Sequence, residues 1–302
     1  MGPEATYSQS SGASGTIELV STGDIRLVSG LDQNAHAAIG HGGSDLTNGA
    51  IRFGDAGQGA DISVRSTAGN VLVQAAQTAA EGTEVTNRYA VIGHHGAEAN
   101  FDAYGDITVA AAGKVDLLSG VGESAFARIG YRGDGDANAI FDGDVRVTAG
   151  DDVSLVGKEN EVQIGHGGPR KTAAINGTVD IITDGALHLS GGASDGSYAI
   201  VGHGGRATAG SKSGDLEIVA ARGVNLLAGQ GADSFVLIGH GGNQSSGAVI
   251  GNVALKSGDA VVLAGGSGSG AGVHVGHGGL SATGNLSGTV EVVTTSGAIT
   301  MT

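Results

Sequence analysis

Six histidines in this chain sit in a recurring stretch of the form Ile-Gly-His-Gly-Gly: His41, His94, His166, His203, His240 and His277. A tyrosine, Tyr131, holds the equivalent place in a seventh copy. An imidazole between glycines suggests a metal ligand, a base or part of a phosphate cradle. Metal binding requires ring nitrogens to converge within about 2.1 Å of one ion. Rings one β-strand spacing apart approach this only with shifts, and rings two spacings apart, roughly 10 Å, do not. Tyr131 interrupts the row, which leaves the adjacent pair His94 and His95 as the best metal candidate. A phosphate loop would need G-x-x-x-x-G-K-[ST] and a following helix, and neither is present. The simpler reading is a turn. Glycine supplies unusual φ values at Gly40, Gly93, Gly130, Gly165, Gly202, Gly239 and Gly276. The histidine then fills the corner, with both ring nitrogens bonded to backbone and the tautomer fixed.

The carboxylates offer weaker chemistry. Asp134 and Asp136 in "RGDGDAN" resemble a fragment of a calcium loop, but its twelve-position frame and closing Glu are missing. Asp24, Asp61, Asp106, Asp144 and Asp215 each precede a strand and are expected to bond local backbone in turns. Arg132 to Asp134 spell RGD, a tripeptide too short to carry an argument. Catalysis on polysaccharides would need clustered carboxylates, with or without basic partners. The one unit that departs from the pattern supplies Arg52, Asp55, Glu81, Glu84 and Arg88. Acids elsewhere are scattered, so the chain is expected not to be an enzyme and to need no cofactor.

The spacing of the motif shows what positions these residues. Its glycines recur at intervals of 53, 37, 35, 37, 37 and 37 residues, so the unit is an internal repeat. The long second unit carries an insertion within 44–90. Each unit holds short apolar alternations, such as Ile107-Thr-Val109, Val115-Asp-Leu117 and Ala127-Arg-Ile129, separated by Gly, Asp, Asn or Ser. That is the strand-and-turn pattern. Helical spacing is nowhere convincing, apart from a single turn within Ala75 to Glu84. Short strands at a fixed period predict an all-β parallel β-helix, or β-solenoid, built from ~37-residue repeats, in preference to a propeller. It is expected to span 15–302 as one domain of about seven and a half repeats, with 1–14 outside it. Whether a unit makes one coil or two is open at this stage.

Aligned copies predict facing. Ala37, Ala90, Ala127, Val162, Ala199, Val236 and Val273 form an inward pair with the motif Ile or Val. The residue between them is Ala38, Val91, Arg128, Gln163, Ile200, Leu237 or His274, and its tolerance of charge predicts an outward position. One step earlier stand His36, Tyr89, Phe126, Glu161, Tyr198, Phe235 and Gly272, also outward by parity, as a surface ladder or under a loop.

Composition narrows the partners. Among 302 residues there are 59 glycines, two prolines, no cysteine and no tryptophan, so the core must rest on Val, Ile, Leu and Ala. A net charge of -15 disfavours nucleic acid and anionic membranes. No apolar run approaches the ~20 residues of a membrane-spanning helix. The opening "MGPEATYSQS" lacks the basic and apolar regions of a signal peptide, and the chain is expected to be a piece of something longer. Its last strands, "VEVVTT" and "AITMT", present open edges that invite end-to-end association.

Units such as "GDITVAAAGKVDLLSG" and "GDLEIVAARGVNLLAGQGADSFVLIGHGG" resemble the repeat regions of filamentous-haemagglutinin-like exoproteins, which are large bacterial surface adhesins. The resemblance covers about Gly15 to Thr302. It implies a right-handed parallel β-helix, a secreted or cell-surface location, and roles in attachment or biofilm formation without catalytic residues. The partners implied are neighbouring solenoid segments and a host, matrix or glycan surface. A polysaccharide-binding or polysaccharide-degrading β-helix is the alternative.

Overall fold

The computed structural model describes residues 12–43, 51–78, 86–96, 101–133, 139–170 and 172–302. Every strand among them belongs to a parallel ladder, and no helix occurs among them. One coil shows the plan: Lys212–Ser213, Leu216–Ala220, Val224–Leu227 and Val236–Ile238 are four short strands joined by tight corners. Repeated along the rod, they build a first, second and third sheet of eight strands each and a fourth of seven. Gly42–Gly43, His95–Gly96 and Arg132–Gly133 add a short three-stranded ladder beside the fourth sheet.

One repeat makes one coil. Leu216 pairs with Val253, Val224 with Val261 and Val236 with Val273, each 37 residues on. Ile107 stacks on its own copies, Ile62 and Val145, and not on the Ala127–Ile129 strand. At about 4.8 Å per rung, the eight rungs of a sheet span roughly 35 Å. The first rung begins before Gly15: Gly12 and Ala13 pair with Arg52 and Phe53. Of the helical turn expected within Ala75 to Glu84, residues 75–78 are not helical, and 79–84 lie outside the described residues.

The alternation fixes the core. In the strand Ile107–Ala111, Ile107, Val109 and Ala111 are buried and the residues between them are half-buried. The same inward column runs through Ile62, Val145, Val179, Leu216 and Val253, all buried. Burying each such side chain contributes roughly 1.5–3 kcal/mol, and the backbone ladder satisfies the peptide groups that come with it.

Coil-to-coil contact explains the first motif glycine. Gly202 has φ +136°, and a Cβ there would overlap the carbonyl oxygen of Gly239 in the next coil. The residue must therefore be glycine on two counts.

Candidate functional site

The motif histidines lie at the corner after the fourth sheet and point into the rod. Their rings form one continuous stack with Tyr131. The centroid spacings are 5.2 Å for His41–His94, 4.9 Å for His94–Tyr131 and 4.3 Å for Tyr131–His166. They are 5.0, 4.8 and 5.2 Å through His203, His240 and His277, with planes within 5° of parallel.

From His94 onward both nitrogens of each imidazole in the stack are committed. The backbone N–H of His166 donates to Nδ1 of His203 at 3.0 Å, and that of His203 donates to Nδ1 of His240 at 2.9 Å. His41 and His240 donate in the same way to His94 and His277 at 3.0 and 3.2 Å, and Tyr131 donates to His166 at 2.9 Å. Nδ1 is therefore unprotonated, and the proton sits on Nε2. From there His94 donates to the Ala60 carbonyl at 2.8 Å, and His166, His203 and His240 donate to Gly143, Gly177 and Gly214 at 2.9 Å. These acceptors belong to the opposite corner, between the first and second sheets. Each histidine thus joins its coil to the previous one and ties two corners of its own coil together. The Tyr131 hydroxyl donates to Gly105 in the same way, but a phenol ring offers no counterpart of Nδ1.

Burial lowers the basicity of these rings. It pushes His94 and His203 down to about 4, and His166 and His240 well below the usual range. A metal ligand needs a free in-plane lone pair aimed at a shared ion. Parallel rings aim theirs along parallel lines, and the Nδ1 lone pairs of His94, His166, His203, His240 and His277 already accept hydrogen bonds. The row is one strand spacing apart, the close case, and still does not converge.

His94 and His95 do not form a chelating pair. His94 faces the interior against His41, Phe53 and Tyr131, while His95 packs edge-on against His36 and Tyr89 outside the fourth sheet. No group of three or more potential metal ligands occurs among the described residues. Asp134 and Asp136 lie outside those residues. Arg132, the first residue of the RGD tripeptide, is buried, with its guanidinium 2.6 Å from Glu161 and 3.5 Å from the centre of the Phe126 ring.

Of the residues expected to face outward beside the motif, Ala38 and His274 at the two ends are exposed and the five between them are outward but covered. Val91, Arg128, Gln163, Ile200 and Leu237 are buried, together with the ring column of Tyr89, Phe126, Tyr198 and Phe235. They make a second core outside the fourth sheet, which the loop after the motif closes over at Tyr198 and Phe235. A Cβ on Gly205 would come within 2.8 Å of the Tyr198 hydroxyl, and one on Gly242 within 3.1 Å of the Phe235 ring. The last glycine of the motif therefore lets the roof close on the ring column. Tolerance of charge comes from partners on neighbouring coils. Gln163 Nε2 donates to the Gly202 carbonyl at 2.7 Å, and Arg128 lies beside Glu161 and Phe126.

Of the residues proposed for catalysis that the structure describes, Arg52 and Asp55 lie together and Arg88 lies apart from them. Arg52 is exposed in the first sheet and pairs with Asp55 at 3.0 Å and Asp102 at 3.5 Å. Arg88 is buried just before the fourth sheet, where its guanidinium donates to the carbonyls of Leu31, Thr78 and Val121. It is a clamp at the base of the insertion. Glu81 and Glu84 lie outside the described residues.

The corner aspartates bond along the rod and not to local backbone. Oδ1 of Asp61, Asp106, Asp144 and Asp215 accepts the backbone N–H of Asp106, Asp144, Thr178 and Asn252 at 2.7–2.9 Å, each one coil on. Asp24 accepts from Asn70 at 2.8 Å in the same manner at the next corner.

Two features escaped the sequence reading. Lys212 occupies the inward column of the first sheet between Ile175 and Val249, where burial pushes its ammonium down to about 8. Nζ donates to the Ser246 carbonyl at 2.9 Å. Inward Ile175 and Val249 on either side were the only available signal. The second is a cavity of about 570 Å³ at the last rung, lined by Phe235, Leu237, Gly272, His274 and Leu280 among others. It opens where Gly272 and His274 replace the ring and the aliphatic side chain of earlier coils.

The chain matches no family model, no curated protein and no solved structure.

Proposed function

We propose that this chain is a structural and adhesive rod segment of a large secreted bacterial surface protein, acting in cell attachment or biofilm formation. One observation carries the reading: the groups most suited to chemistry are consumed in holding one coil to the next. The corner histidines and aspartates bond backbone, and the inward columns are mainly Ile, Val, Leu and Ala, with Phe141 and Lys212 among them in the first sheet. What varies is the outside. The outward column of the second sheet runs Glu18, Ser63, Thr108, Arg146, Asp180, Glu217, Ala254 and Glu291. A constant frame with a changing surface suits extension and presentation, not turnover, and the reading includes no enzymatic activity and no cofactor. No helix among the described residues is long and apolar enough to cross a membrane.

The partners proposed are neighbouring solenoid segments and a host, matrix or glycan surface. End-to-end association belongs to the same reading. Leu286, Val290 and Ile299 are exposed in the last rung, whereas their counterparts one coil earlier, Val249, Val253 and Val261, are buried. A strand edge with bare apolar columns is a template for pairing.

The test is attachment. Beads carrying the chain are expected to adhere to matrix- or glycan-coated surfaces above a control protein of equal charge. Release of reducing sugar from a polysaccharide panel, lost on substituting Asp55, would overturn the reading in favour of a degrading β-helix.

A further inference from the structure

Four corner histidines, His94, His166, His203 and His240, are buried and titratable, and the attachment role makes no use of their chemistry. We propose that they form an acid-sensitive lock: neutral, they hold coil to coil and corner to corner, and protonated, they let the corners of the rod open.

The geometry leaves a proton no place. Nδ1 of each buried corner histidine faces a backbone N–H, as His203 Nδ1 faces His166 N–H at 3.0 Å. A proton on Nδ1 would set two donors against each other. The ring cannot turn to relieve this, because His203 is stacked at 5.0 Å on one side and 4.8 Å on the other and is fully buried. Protonation of neighbours would also place like charges about 5 Å apart without water between them, where they are weakly screened.

The charged surroundings add little to offset this. His94 faces His41, His95 and Tyr131. His166 faces Tyr131, His203 and, across the sheet, Arg128. His240 faces His203, His277 and Lys212. His203 lies between His166 and His240, with Asp144 as the single carboxylate acting in favour of its charge. Tyr131 takes up no proton in this range, so it separates His94 on one side from His166, His203 and His240 on the other.

The direction of the response follows from linkage. An opened corner returns its histidine to an ordinary value near 6.5, whereas His94 and His203 are held at about 4 when closed. Opening therefore takes up protons between these values. The stabilisation is complete above about 6.5 and is lost as the pH falls toward 4. Most of that window lies above the range in which exposed carboxylates titrate.

The test uses the intact chain. Amide hydrogen exchange, corrected for its intrinsic pH dependence, is read at the His166 N–H, which is held by His203. Between pH 7 and 5 its opening is expected to rise about 20-fold for one released histidine. In His203→Tyr, which copies the natural arrangement at Tyr131, that pH step should disappear. Should the variant not fold, the ring-nitrogen shifts of the unmodified chain decide: His203 should remain the neutral Nε2–H form down to about pH 5. Protonation midway near 6.5 with unchanged exchange, or equal protection at both pH values, would overturn the proposal.

Discussion

Replacing His203 by alanine removes one rung of the ring stack and should reveal its worth. The His166 N–H loses its acceptor, and the Gly177 carbonyl loses its donor. Each buried group left without a partner costs about 1–3 kcal/mol. The emptied ring site lies between His166 and His240, which stack on it from both sides, and cannot collapse without breaking the ladder, so a cavity cost adds to the loss. The expected total is about 4 kcal/mol or more at neutral pH. The reciprocal change, Tyr131→His, offers the His94 N–H the acceptor that a phenol lacks and should stabilise the rod by about 1 kcal/mol. Urea unfolding at pH 7.5 measures both, with the midpoint and slope read together, because a change in slope would signal partial unfolding of coils. A His203→Ala loss below about 0.5 kcal/mol, the scale of ordinary surface changes, would refute the claim that the corner bonds hold the coils. So would a Tyr131→His variant less stable than its parent.

Other expectations follow from the same geometry. Gly202→Ala, strained at φ +136° and overlapping the next coil's carbonyl, should cost upwards of about 3 kcal/mol in a thermal melt, while Gly23→Ala, in open space, should stay within about 0.5 kcal/mol. Asp144→Ala removes the acceptor of the Thr178 N–H and should cost about 1 kcal/mol, whereas Asp144→Asn, which keeps a carbonyl oxygen, should cost less; paired denaturation curves compare them. Excess Zn²⁺ or Ni²⁺ should leave the melting temperature unchanged at pH 7.5. A rise of several degrees would show that the rings leave their backbone partners to bind metal.

Much of this fold could be read from spacing. The 37-residue interval, the short alternating strands and the inward pairing of Ala199 with Val201 all follow from period and parity. The number of coils per repeat did not, because Ile107-Thr-Val109 and Ala127-Arg-Ile129 have the same alternation, and alternation does not say which backbone pairs with which. Parity also placed Arg128 and Gln163 outside the sheet correctly, but it carried no information about the roof above them. Their polar groups are met by Glu161 and by the Gly202 carbonyl, from parts of the chain that no local pattern connects. The aspartates were misjudged for a related reason: a turn residue and an inter-coil bond look alike until the neighbouring coil is in place. At the candidate site, glycine spacing located the histidine corner, but only the stacked coils show that each ring bonds the coil before it.

Deletion of residues 203–239 tests the central claim most directly, because it excises one coil and rejoins Gly202 to His240 in register. Circular dichroism and small-angle scattering of the shortened chain should show the same β signal per residue and a rod shorter by about 5 Å, one strand spacing. Loss of the β signal, or collapse to an unfolded chain, would contradict a rod built of equivalent coils.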